Sequence, residues 1–197
     1  MLYGKLENNQ ITQTYGSNNV EFSPTVFQQA RTLTAEQRQE FGVVEIARTP
    51  QPAHDAKTQT VKQGDYALVN GAWTETWVVT TLPLAEAKAR YHAEINSIKQ
   101  SKMTGTITVS GLEIGLDADS KGLMALGKTN NRTTRKIHTQ AGTRAVLTGA
   151  QFDGLIATIE NFGQLVMDRA YDLSEAVESA VDISALTAID ISSGWPE

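Results

Sequence analysis

The sequence predicts an α+β protein: a β-hairpin-rich N-terminal region, a linking helix, and a small C-terminal domain of hairpin and helices that ends in a long amphipathic helix. Three observations carry this. The first 82 residues break into short strand-like runs separated by turn residues. Within them Asn70-Gly71 lies between alternating segments, and an Asn-Gly pair there favours a two-residue type I′ turn because both positions need positive φ. From about Ala150 to Val181 the apolar residues recur at helical spacing.

Taken in order, Leu2 to Leu6 and ITQTYGSNNVEF read as strands and turns, and LTAEQRQEFG reads as a short helix. Thr34 can cap that helix with Gln37 three residues on, and Gly42 stands where a C′ glycine would. FGVVEIAR then reads as a buried strand, and the two prolines of TPQPAHDAKTQTV make an exposed extended connection. The Asn70-Gly71 hairpin follows, with Trp73 and Trp77 expected on its second arm. Pro83 ends that arm. PLAEAKARYHAEINSIKQSKM places Leu84, Ala87, Tyr91, Ile95 and Ile98 on one helical face. Ser110-Gly111 marks a second hairpin, Asp119 or Ser120 can cap a short helix after it, and RKIHTQAGTRAVLTG is strand-like. The long final helix directs Phe152, Leu155, Ile156, Ile159, Phe162, Leu165, Val166, Met167 and Leu173 inward. The expected organisation is a β-rich interaction domain over 1–82, an α+β domain over 83–182 with its linking helix at 83–102, and a docking tail over 183–197.

Composition excludes several functions. With 22 acidic and 17 basic residues among 197, the net charge of -5 argues against the counterion-release binding of nucleic acids. The lack of cysteine removes disulfides, thiolate nucleophiles and zinc-thiolate sites, and three scattered histidines do not space a metal site. No run approaches the roughly 18 apolar residues of a membrane span, and MLYGKLENNQ is too polar for a signal peptide. A soluble, non-enzymatic chain with no cofactor, no metal, no nucleic-acid partner and no membrane is therefore expected.

The motifs that resemble chemistry fail on context. GLMALGKT at 122–129 satisfies the P-loop pattern, but DADSK precedes it in place of a buried strand and polar TNNRTTR follows in place of an apolar helix. DADSKGLMALGK begins like a calcium loop with Asp117 and Asp119, yet Lys121 and Lys128 stand where ligands are needed. His92 and Glu94 match the H-x-E of zinc deaminases without the thiolates that site requires. No G-x-S-x-G elbow supports a nucleophilic triad. The cluster Lys128, Arg132, Arg135, Lys136 and Arg144 reads as a solvated or partner-facing surface. Tryptophan is enriched among interface hot spots, so Trp73, Trp77 and Trp195, with the adjoining Pro196, are the candidate interface residues, and Trp195 leads them.

The succession ARYHAEINSIKQ, GTITVSGLEIGLDADSKGLMALGK and RKIHTQAGTRAVLTGAQFDGLIATIENFGQLVMDRAYDLSEAVESAV resembles the C-terminal domain of many tailed-phage proteins encoded near tail fibres. The segments LTAEQRQEFGVVEI, PQPAHDAKTQTV and NGAWTETWVV are similar to the N-terminal region that accompanies this domain. The ending AIDISSGWPE is similar to the Trp-Pro termini of phage tail-fibre assembly proteins. The resemblance spans most of residues 30–197 and supplies no active-site residue. It implies a virion protein, made in the host cytoplasm, of the tail fibre or baseplate. Its partners would be other phage tail proteins, with self-association as a further contact; the alternative is a tail-fibre assembly chaperone.

Overall fold

The computed structural model describes residues 2–15, 19–23, 26–29, 32–129 and 134–197, and the fold is mixed α+β. The chain divides into two compact units, one ending at Leu82 and the other beginning at Pro83.

The first unit is built around β1 (Leu2–Glu7) and β2 (Gln10–Tyr15), an antiparallel hairpin. Its turn is Asn8-Asn9, both at positive φ, a conformation that asparagine tolerates better than other side chains. β3 (Asn19–Ser23) and β4 (Val26–Gln29) form a separate hairpin. α1 (Ala35–Glu40) has the capping box expected of Thr34 and Gln37, and Gly42 follows at φ 64. β5 (Val43–Ala47) pairs antiparallel with β1, burying Val43 and Ile46. A Cβ at Gly4 would lie 2.8 Å from both Ile46 Cδ1 and Ile11 Cγ2, so a larger residue there would have to displace those side chains.

β6 (Gln59–Gln63), β7 (Ala67–Val69), β8 (Ala72–Thr74) and β9 (Trp77–Thr81) complete the unit. Asn70 and Gly71, at φ 49 and 79, make the expected tight turn between β7 and β8. The second arm does not run on as one strand, however. β8 joins a five-stranded sheet of order β2-β1-β5-β8-β7, parallel to β5, whereas β9 pairs antiparallel with β6 in a two-stranded ribbon. Trp73 and Trp77 therefore sit in different sheets. The break at Glu75-Thr76 is held by the Glu75 amide on Ala47 O and by the Gly64 amide on Thr76 O, both at 2.9 Å.

The second unit opens with α2 (Leu84–Thr104), which buries Ala87, Tyr91 and Ile95. This helix is a wall of the unit's own core, packed on the long helix described below. β10 (Thr106–Val109) and β11 (Leu112–Gly115) form the hairpin on Ser110-Gly111, at φ 51 and 78. α3 (Ala118–Thr129) follows, and Asp117, not Asp119 or Ser120, caps it: Oδ1 accepts from the Ser120 amide at 2.9 Å and Oδ2 from the Ser120 hydroxyl at 2.7 Å. These bonds hold the Asp117 carboxyl below the usual carboxylate range. The whole 118–129 stretch is helical, so from Gly122 on its amides point along the helix to carbonyls four residues back, and the chain there has neither the phosphate-cradling loop nor the calcium-loop conformation those motifs need. Gly127 accordingly lies within the helix and does not cap it.

β12 (Thr134–His138) and β13 (Arg144–Thr148) pair antiparallel and lead into α4 (Gly149–Ser179). α4 buries Phe152, Leu155, Ile156, Phe162, Val166, Ala170, Leu173 and Val177. Leu165, expected to face inward, is 48% exposed, because it lies about 100° round the helix from fully buried Val166. Thr148 is both the last residue of β13 and the N-cap of α4, in a capping box with Gln151. Replacing it with Ala should lower the stability of the chain by about 1 kcal/mol in urea unfolding, and Gly should cost only a few tenths. At the other end Lys88 Nζ donates to Glu178 O at 2.6 Å, satisfying one of the carbonyls that a helix C-terminus leaves open. α5 (Ile183–Thr187), capped by Asp182, begins the final segment.

Candidate assembly interface

The four residues singled out as an interface fall in two units, Trp73 and Trp77 in the first and Trp195 and Pro196 in the second. Trp73 lies on β8 between Leu68 of β7 and Ile46 of β5 and is half-buried. Trp77 is also half-buried, and its Nε1–H donates to Thr49 O at 3.1 Å, while the Thr49 hydroxyl donates to Glu75 O at 2.7 Å. The Trp77 ring thus ties the irregular chain at Thr49 to β9. Trp195 and Pro196 belong to the other unit.

Trp195, expected to be an exposed anchor, is a core residue of the second unit, 8% exposed, with Nε1–H donating to Ile191 O at 2.9 Å. The segment 183–197, set apart by sequence as a docking tail, docks on its own unit. Leu186 and Ile191 are buried with Trp195. Arg169 Nη2 donates to Ser193 O at 2.9 Å, and Lys102 Nζ donates to Pro196 O at 3.0 Å. Asp190 closes the turn by accepting from the hydroxyls and amides of Ser192 and Ser193, which holds its carboxyl far below the usual carboxylate range. Because the folded pKa is depressed, this turn's contribution is present above the ordinary carboxylate pKa of about 4 and is lost only as the pH falls through the lower folded value.

The surfaces that remain open are elsewhere, and they were not singled out from sequence. On β9, Val78 and Val79 are 52% and 40% exposed. Consecutive strand residues point to opposite faces, so neither face of the β6–β9 ribbon buries its valine. On β7, Leu68 and Val69 are likewise exposed. The buried apolar side chains described in this unit are Tyr3, Leu33, Val43, Ile46 and Leu82, whereas α4 alone buries eight. In the second unit an apolar groove of about 470 Å³ runs between the end of α2, α3 and α4, lined by Met103, Met124 and Met167 with Ile159 and Gly163. The available signal for it was the spacing Ile159, Gly163, Met167 and Tyr171, four residues apart along one flank of α4.

Among the described residues no group of three or more His, Asp or Glu side chains is placed to hold a metal ion, and no helix is long and apolar enough to cross a membrane. His92 Nε2 lies 2.8 Å from Glu178 Oε1, so this histidine pairs α2 with the end of α4. Compared with known proteins, the chain matches no family model, no curated protein and no solved structure.

Proposed function

We propose that the chain is a bacteriophage tail structural protein of the fibre or baseplate apparatus, acting by protein–protein assembly without catalysis. Support comes from the sequence resemblance of most of residues 30–197 to domains of tail-fibre-associated phage proteins. The observation that carries most weight is the β6–β9 ribbon with valines open on both faces, together with the exposed Leu68 and Val69 of the five-stranded sheet. A two-stranded ribbon is marginal by itself in water, and its open valines and unpaired strand edges give another chain something to cover. Neighbouring tail proteins are the proposed cover, added by strand pairing or by packing on the exposed face.

Quantitative mass spectrometry of purified phage particles tests this reading. A constant ratio of this chain to the tail proteins is the expected result. Absence from particles, together with insoluble fibre when the chain is omitted, would replace it with the assembly-chaperone reading.

A further inference from the structure

We propose that a cavity of the second unit, distinct from the methionine-lined groove, binds a small organic anion with an apolar body, an aryl or alkyl carboxylate. The cavity lies where the two hairpins of this unit part. β11 and the chain just past β12 are joined by the Gln140 amide, which donates to Glu113 O at 2.9 Å. Beside that bond a space of about 330 Å³ opens between β11, β12, α3 and the first turns of α4. Its size falls at the lower end of the range for small-molecule sites.

The walls combine an apolar surface with a cationic end. Ile114 and Phe152, both buried, supply the surface together with Met124 and Ile137. The charged side chains among the described lining residues are Arg135 and Lys136, and no acid lines the cavity with them. Strand alternation puts Arg135 on the same face of β12 as Ile137, and its largely buried guanidinium lies over the Phe152 ring. Lys136 is exposed at the edge. Asp153 Oδ1 lies 3.3 Å from Arg135 Nη1, but that carboxylate is mostly exposed and water screens it. An anion entering the cavity meets the Arg135 charge against an apolar wall, where a charge-assisted contact is stronger than in open water.

The far end fixes which way the ligand lies. Arg135 and Thr139, both on the wall, are roughly 13 Å apart along the extended chain. Next to Thr139, polar side chains gather round Gly115: a Cβ there would lie 2.8 Å from both Asp117 Oδ2 and Gln140 Oε1 and 3.1 Å from Ser120 Oγ. Asp117 is engaged in capping α3 through Ser120, yet its charge makes this end electronegative. The carboxylate head therefore belongs at Arg135, with the apolar body on Ile114 and Ile137.

The test titrates the full chain with two matched probes, phenylbutyrate and its uncharged counterpart phenylbutanol, followed by backbone amide NMR shifts. Phenylbutyrate should bind saturably at about millimolar affinity, as expected for a ligand of about a dozen heavy atoms. The largest shifts should fall on Gly115, Ser120, Ile137 and Thr139. The alcohol, which keeps the apolar body and lacks the charge, should bind about fivefold more weakly or worse. This comparison needs no variant, so it does not depend on any substitution folding. Lys136→Glu, at an exposed position, should leave the unfolding midpoint as it is and weaken phenylbutyrate about fivefold while sparing phenylbutanol. No saturation below roughly 50 mM, equal binding of the two probes, indifference to Lys136→Glu, or shifts centred on the methionine-lined groove would overturn the proposal.

Discussion

Replacing Trp195 with Ala should destabilise the second unit by about 3–5 kcal/mol, the range for truncating a buried large aromatic. The ring is enclosed by its own unit, and its removal leaves a cavity together with an Ile191 carbonyl that has lost its donor. Trp195→Phe separates the two contributions: most of the packing stays, and the lost hydrogen bond should cost about 1 kcal/mol. Urea unfolding followed by circular dichroism measures both, and limited proteolysis should cut the 189–197 segment of Trp195→Ala first. The outcome also discriminates roles. A tryptophan that faced only a partner would leave the isolated chain as stable as the wild type after truncation.

Phe152→Ala should have an effect of similar size, about 3–5 kcal/mol, for a partly different reason. Phe152 is 2% exposed in the first turns of α4, and the Arg135 guanidinium lies over its ring at 4.5 Å from the centroid. The side chain of Arg135 is itself only 10% exposed, so its charge draws on the aromatic face as well as on Asp153 at 3.3 Å. Truncation removes the packing and also one of the groups that compensate a largely desolvated cation. Phe152→Leu restores most of the volume without the π face, so the difference between the Leu and Ala variants isolates packing. A midpoint that falls in urea with an unchanged slope is the expected signature.

Local chemistry was the legible part of this fold. The Asn70-Gly71 and Ser110-Gly111 turns, the Thr34 capping box and Gly42 each follow from the conformational needs of a few adjacent residues, and the structure has them where the sequence put them. What could not be read were pairings between distant segments. Trp77 is separated from Trp73 because β9 finds β6 and β8 finds β5, choices made across more than ten residues of intervening chain. Trp195 shows a second limit. A tryptophan that closes its own core and one that awaits a partner are the same residue in the same apolar company, and only the position of Ile191, Leu186 and the helices decides between them. On α4 the periodicity identified the buried stripe, and the i, i+4 run of Ile159, Gly163, Met167 and Tyr171 marked a neighbouring flank, but which of those residues stay open depends on where α2 and α3 pack. The Asn8-Asn9 turn, by contrast, carried a usable signal in two adjacent residues tolerant of positive φ.

The methionines of the groove also place the chain's redox chemistry. With no cysteine to react first, oxidant meets thioethers, and three of the four methionines, Met103, Met124 and Met167, line the same groove. Conversion of any of them to the sulfoxide puts a polar, chiral S=O where an apolar wall stood, and methionine sulfoxide reductases reverse the change. Peroxide damage to this protein would therefore concentrate on one surface of the second unit and spare the strands of the first.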